Sequence, residues 1–189
     1  MRIIAGTHRG RRLHGPRGTA LRPTSDRVRE ALFSILGSRL PNSRFLDLYA
    51  GTGAVGMEAA SRGARHVVCV ESNREALKLM QRNLSDCGMS NCVRVQGQTV
   101  QQFLSRREQM GEPYDIVFAD PPYAAAQELA SLMAGVSPEA LFAPDARLVA
   151  EHAAKAPLPA QLGPCVFLRR YTYGDTALSV FAYSGTAAP

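Results

Sequence analysis

The stretch Phe45-Leu46-Asp47-Leu48-Tyr49-Ala50-Gly51-Thr52-Gly53-Ala54-Val55-Gly56 decides how this chain of 189 residues folds. Its first half is an apolar run interrupted by one acid, the pattern of a strand buried on both faces. Its second half spaces glycines as G-x-G-x-x-G, and Ala54–Ser61 continues as a helix. Gly51 and Gly53 permit a tight turn and close backbone approach, while Gly56 permits close packing of the helix on the strand. A buried strand, such a turn and a helix are the opening of a doubly wound α/β sheet.

Working outward, the same alternation repeats. His66–Glu71 reads as a strand and Arg74–Asp86 as a helix. Val93–Gly97 is a strand followed by a helix at Val100–Arg107. Tyr114–Ala119 is a fourth strand, with a helix around Ala125–Gly135 and a fifth strand at Ala146–Glu151. These strands are continuous apolar runs, as expected of a parallel sheet covered by helices on both faces. Cys165–Tyr173 and Thr176–Tyr183, separated by Gly174-Asp175, predict an antiparallel hairpin. Upstream, Arg2–Ala5 and Arg11–His14 flank a glycine-containing turn and predict a small hairpin. After a loop at Gly15–Pro23, one of Thr24, Ser25 or Asp26 caps a helix. Its apolar positions Val28, Ala31, Leu32, Ile35 and Leu36 recur at helical spacing until Pro41-Asn42-Ser43. Residues 1–40 are therefore expected to form a hairpin-helix extension and 41–189 the α/β domain.

Glu71 ends the second strand about 20 residues beyond the first glycine, where ribose hydroxyls are held. That spacing suits an adenosine cofactor, NAD or S-adenosylmethionine alike. Asp47 separates them: a carboxylate at the loop entry repels a pyrophosphate and attracts the ammonium of a methionine moiety. Asp120-Pro121-Pro122-Tyr123, which ends the fourth strand, points the same way. Pro122 keeps Pro121 extended with its carbonyl outward. An acceptor side chain, rigid carbonyls and an aromatic face then stand at the carboxyl end of a strand, where open parallel sheets place ligands. An exocyclic amine on a flat heterocycle matches them, whereas a dinucleotide leaves them without a role. Read alone, the tetrapeptide is equally a proline-terminated strand with a surface tyrosine.

Hydrophobic content is 46%, charged content 20% and formal net charge +6. The charge is local. Residues 1–30 hold eight arginines against Asp26 and Glu30, which is the whole excess, and residues 31–189 balance 14 bases with 14 acids. Arginine forks onto phosphate and stacks on bases, so a basic segment on a neutral body suggests a polyanion-docking element. Within it, Arg27 and Arg29 have an intrahelical ion pair with Asp26 or Glu30 as their structural alternative. Cys69, Cys87, Cys92 and Cys165 have no C-x-x-C spacing, and the four histidines form no metal-ligand pattern. No metal, no membrane segment and no export signal are expected, and reduced cysteines place the chain in the cytoplasm.

With the glycine loop, the acid and Asp-Pro-Pro-Tyr in place, the chain resembles class I S-adenosylmethionine-dependent methyltransferases that act on amino groups. A second resemblance is narrower. Arg2-Ile3-Ile4-Ala5-Gly6, Arg9-Gly10-Arg11 and Arg22-Pro23-Thr24-Ser25-Asp26-Arg27-Val28-Arg29-Glu30-Ala31-Leu32-Phe33 are similar to the N-terminal signature of the bacterial small-subunit ribosomal RNA (guanine-N2)-methyltransferases, the RsmD family. The likeness runs through Tyr173-Gly174-Asp175-Thr176. It implies a Rossmann-like, mostly parallel seven-stranded sheet with an antiparallel last strand. It also implies methylation of one guanine N2 in 16S rRNA, on an assembled or assembling small subunit, by a monomer. Carried over by position, Asp47, Tyr49, Gly51, Gly53, Glu71 and Ser72 hold the cofactor. Asp120, Pro121 and Tyr123 hold the target base, and Arg9, Arg11, Arg12 and Arg22 meet RNA. Where the class presents Asp or Asn to the adenine amine, this chain has Gln98-Thr99, and either side chain can accept that hydrogen bond as part of the cofactor site. The tetrapeptide suits an adenine amine equally, so a DNA adenine-N6 methyltransferase is the enzymatic alternative. A protein glutamine methyltransferase leaves the basic segment without purpose. An inactive RNA-binding assembly factor has no need of the intact loop and acids.

Overall fold

The computed structural model describes residues 1–15, 25–106, 111–122 and 126–185, which form two compact units, Met1–Val100 and Gln101–Pro189. The extension expected at residues 1–40 is part of the first of these. In that unit the pairing of Arg2 with Arg12 closes the N-terminal hairpin, with Ile3 N donating to Arg11 O at 3.0 Å and Gly10 N to Ile3 O at 2.9 Å. Ile3 and Leu13 point inward and are buried.

Helix α1 spans Asp26–Leu36 and is capped by Ser25, whose Oγ accepts from Val28 N at 3.2 Å. Its apolar stripe buries Val28, Leu32 and Leu36, and Phe33 stacks on Phe45 at 6.3 Å. Gly37, at φ +50°, ends it ahead of the predicted break.

Strands β1 (Arg44–Leu48), β2 (His66–Glu71) and β3 (Val93–Gly97) pair in parallel in the order β3-β2-β1, with helices α2 (Ala54–Ser61) and α3 (Arg74–Asp86) as the crossovers. The register sets Asp47 beside Cys69 and Glu71 beside Gly97, so the carboxyl ends of the strands are level. β1 stops at Leu48, two residues short of the predicted end, because Tyr49 takes a left-handed φ of +63° and breaks the ladder. Helix α4 (Val100–Ser105) leads out of this unit.

The second unit contains β4 (Tyr114–Ala119), α5 (Ala126–Ala134), α6 (Pro138–Leu141), β5 (Phe142–Ala153), β6 (Gln161–Leu162), β7 (Cys165–Tyr173) and β8 (Thr176–Ala182). β4 and β5 are parallel; β5 with β8, β8 with β7, and β7 with β6 are antiparallel. β5 is twice the length predicted. Pairing resumes at Tyr114–Phe142 across a register shift, over a stretch where Pro144 and Asp145 interrupt the apolar run. The two-residue β6, inside the Pro-rich connection, makes eight strands among the described residues where seven were expected. Gly174, at φ +63°, makes the tight hairpin between β7 and β8. The result is the expected Rossmann-like α/β class with antiparallel C-terminal strands. No described helix is long and apolar enough to cross a membrane.

Candidate active site

In the first unit the chain leaves β1 at Tyr49 and turns through Ala50–Gly53 into α2. Gly53 N donates to Ala50 O at 2.9 Å, and Gly51 and Gly53 have φ of +55° and +78°. The three glycines serve different ends. A Cβ on Gly56 would stand 2.3 Å from Cys69 Sγ, so that glycine lets α2 lie against β2. A Cβ on Gly53 would stand 2.6 Å from Met80 Cγ of α3. At Gly51 nothing lies within 4 Å, so the loop presents bare backbone to open space there, as a ligand cradle must.

Glu71 holds this turn from the end of β2. Its Oε2 accepts Gly51 N at 2.8 Å, and its Oε1 accepts Ser72 N at 2.8 Å and Asn73 N at 2.7 Å. A carboxylate offers about four acceptor positions. Three backbone donors therefore leave about one on this half-buried group, next to the open glycine. Asp47 lies deeper: it is 1% exposed, and Oδ2 accepts Gly56 N at 3.0 Å. From there it ties β1 to the first turn of α2 and places negative charge beneath the loop. Burial and that charge together push the neighbouring Cys69 thiol well above its ordinary pKa. Tyr49 is half-buried at the mouth of the turn, and Ser72 is exposed just past Glu71. Beyond β3, half-buried Gln98 turns Nε2 toward Gln96 Oε1 at 3.5 Å, and Thr99 is exposed.

In the second unit β4 ends at buried Ala119. Asp120 is half-buried, Pro121 buried and Pro122 exposed, so the Asp120 carboxylate follows directly on the strand's carboxyl end. Tyr123 lies outside the described residues, as does Arg22.

The N-terminal hairpin is docked rather than loose, by residues that sequence reasoning missed. Glu58 of α2 has no exposed surface; its Oε2 accepts Ile4 N at 2.7 Å, and its Oε1 accepts Ala5 N at 2.9 Å and Arg62 Nε at 2.6 Å. Ser61 adds four bonds: its carbonyl accepts Thr7 N at 2.8 Å and Thr7 Oγ1 at 3.3 Å, its Oγ accepts His8 N at 3.0 Å and donates to Ala5 O at 2.6 Å. Asn83 of α3 holds His14 by both backbone groups. One signal was present in each helix. Glu58 is the only charge in an apolar octet, and Asn83 falls on the buried stripe of Ala76, Met80 and Leu84.

Docking leaves Arg9, Arg11 and Arg12 exposed, with Arg11 Nη1 also donating to Cys87 O. Arg29 is different. It is wholly buried and takes the structural alternative, with Nη2 3.0 Å from Asp26 Oδ1 and 2.6 Å from Arg2 O. Its Nε and Nη1 find no hydrogen-bond partner among the described residues. Burial lowers its pKa, opposed by the charges of Asp26 and Glu58. Among the described residues no group of three or more His, Cys, Asp or Glu could hold a metal ion.

A family model described as conserved hypothetical protein 95 matches residues 1–182. YlbH of Bacillus subtilis (strain 168) is 32% identical over 185 residues, 98% of this chain and 100% of that one. Ribosomal RNA small subunit methyltransferase D of Escherichia coli (strain K12) is 42% identical over 123 residues, 65% of this chain and 60% of that protein. Among solved structures, yhhF from Escherichia coli superposes with a TM-score of 0.82 at 33% identity, over 97% of this chain and 98% of that one.

Proposed function

The chain belongs to the conserved hypothetical protein 95 family, the RsmD family, and on that premise we propose that it transfers a methyl group from S-adenosylmethionine to the exocyclic N2 of one guanine in 16S rRNA, on an assembled or assembling small ribosomal subunit in the cytoplasm. The observation that supports a cofactor here is the carboxylate of Glu71 bonded to the backbone of Gly51, beside a loop surface open to a ligand. The ribosomal substrate rests on the relative named small subunit methyltransferase D.

When bound, S-adenosylmethionine supplies an electrophilic methyl group. The chain's own residues do the rest by placement. Gly51 receives the cofactor on bare backbone in the turn that Gly53 closes, Glu71 accepts a ribose hydroxyl, and Tyr49, Ser72, Gln98 and Thr99 line its adenosine. Asp47 acts from beneath the loop as negative charge opposite the cofactor's ammonium. Asp120 and the Pro121 carbonyl accept the two N–H bonds of the guanine amine, which frees its lone pair from the ring, and Asp120 takes the proton released on transfer. Tyr123 stacks on the flipped base. Residues 1–40 face RNA, with Arg9, Arg11, Arg12 and Arg22 on phosphates.

The test incubates labelled cofactor with unmethylated small subunits, naked 16S rRNA and DNA, and maps the modified base. N2-methylguanine in 16S rRNA is the expected product, formed best on subunits. Label in adenine or in DNA overturns the proposal in favour of an adenine-N6 methyltransferase. Cofactor binding with no transfer to any of the three favours an inactive assembly factor.

A further inference from the structure

Asn83 is a buried amide that makes three hydrogen bonds, and it joins two parts of the first unit that have separate tasks. Its Oδ1 accepts His14 N at 2.7 Å, and its Nδ2 donates to His14 O at 3.1 Å and to Thr52 O at 3.2 Å. Both amide hydrogens and one lone pair of the carbonyl are thereby used, with no exposed surface for water to compete. Thr52 lies between Gly51 and Gly53 at the centre of the glycine loop. His14 ends the second strand of the arginine hairpin, and its ring is held separately by Asp86 Oδ2 at 2.9 Å.

We propose that Asn83 is a positioning residue that couples the two, so that occupancy of the glycine loop and binding of RNA by the arginine hairpin strengthen each other. The inference rests on the reading of these two parts given under Proposed function. Tyr49, Gly51 and Gly53 have positive φ in alternation with Ala50 and Thr52, so the loop turns tightly and its carbonyl directions are set together. A cofactor seated on that backbone holds Thr52 O in one direction. Thr52 O then keeps the carboxamide in the rotamer that clasps both backbone groups of His14, and the hairpin is presented to RNA already ordered. RNA seated on the hairpin holds the same amide from the other side. Linkage makes the two effects equal in size.

The experiment measures the dissociation constant of S-adenosylhomocysteine by calorimetry, with and without saturating unmethylated small subunits, and that of the subunits with and without S-adenosylhomocysteine. In the intact protein each ligand tightens the other by the same factor, about fivefold or more. Asn83→Ala brings the factor below about twofold while each ligand still binds alone. Asn83→Asp does the same with little change of shape: its carboxylate still accepts His14 N but repels the carbonyls of His14 and Thr52. Asp86→Ala loosens His14 without touching the loop; it weakens subunit binding and keeps the factor. Equal constants in the presence and absence of the other ligand overturn the inference and leave the methyltransferase reading standing. A factor retained in both Asn83 variants also overturns it. Failure of the intact protein to bind S-adenosylhomocysteine overturns the reading itself, and the inference with it.

Discussion

Removing the carboxylate of Glu58 tests whether the N-terminal hairpin is built into the α/β core. Glu58→Ala leaves the amides of Ile4 and Ala5 without their acceptor, and each unmade buried bond costs about 1–3 kcal/mol. Arg62, whose side chain is 21% exposed, recovers water and loses little. Arg29 has no such escape, since it is wholly buried and Glu58 supplies part of the negative charge opposite it. Arg29 keeps its ion pair with Asp26, so the two lost amide bonds set the scale, and about 2–4 kcal/mol is expected in all. That is a large part of a domain's 5–15 kcal/mol. Urea unfolding at neutral pH measures it, and hydrogen exchange at Ile4 and Ala5 locates it. Glu58→Gln keeps one acceptor oxygen and should lose about half as much. A loss under about 1 kcal/mol for Glu58→Ala, with slow exchange at both amides retained, refutes the reasoning.

Two glycines of the same hairpin separate collision from backbone strain. Gly6→Ala puts a Cβ 1.8 Å from Ser61 O and lifts the hairpin off α2, whereas Gly10→Ala, at a similar φ, meets nothing within 4 Å and should lose only the 1–2 kcal/mol or so of a left-handed residue; equal losses in thermal unfolding contradict the docking. Replacing Arg9 and Arg12 by Ala, with Arg11 kept because it also holds Cys87 O, should flatten the salt dependence of RNA binding by about 1.4–1.8 in log–log slope, and an unchanged slope means the pair is only solvated. Asp120→Ala should lose most turnover with unchanged calorimetric affinity for S-adenosylhomocysteine; near-normal methylation removes Asp120 from its role. For the thiols, only exposed Cys92 should react with Ellman's reagent in the folded protein. Burial pushes Cys165 from 9.0 up to about 12 and moves Cys69 the same way, so between those values the folded chain keeps protons that the unfolded chain has lost. Stability should therefore be flat in Cys165 below pH 9 and fall as the pH rises toward 12, by about 1.4 kcal/mol per unit, with Cys69 adding a loss of the same sign, read from urea midpoints.

Most elements were legible in the sequence because their signals are local. The helices over Ala54–Ser61 and Arg74–Asp86 and the strands over His66–Glu71, Val93–Gly97 and Tyr114–Ala119 have the bounds that apolar periodicity and turn residues mark. The misses were local conflicts settled by tertiary pairing. Asp145 and Pro144 argue against a strand, yet β4 carries β5 back across them to Phe142, and β8 extends its other end to Ala153. Tyr49 argues for continued strand, yet the turn into α2 needs its left-handed backbone. In the site, the glycine spacing and the acid one strand later were readable, and so was an acceptor after the fourth strand. What Asp47 does with its charge was not, because a carboxylate's partners depend on which side of the strand the helix lies.

The amino-acid sequence alone determined the order of strands and helices, the glycine turn after β1, the acid at the end of β2, Asp120 at the end of β4 and the concentration of arginine near the start. Each is a matter of neighbours within about one turn or one strand, where sterics and the apolar pattern act directly. Only the tertiary structure decided that the basic hairpin is bolted to α2 and α3, that Arg29 is buried while Arg9, Arg11 and Arg12 remain outside, and that one amide spans from His14 to Thr52. Those pairs stand 27 to 76 residues apart, as with Arg29 and Arg2 or Arg11 and Cys87. Periodicity states that a face is buried; it does not state against what, and a polar group's partner is chosen by the packing that surrounds it.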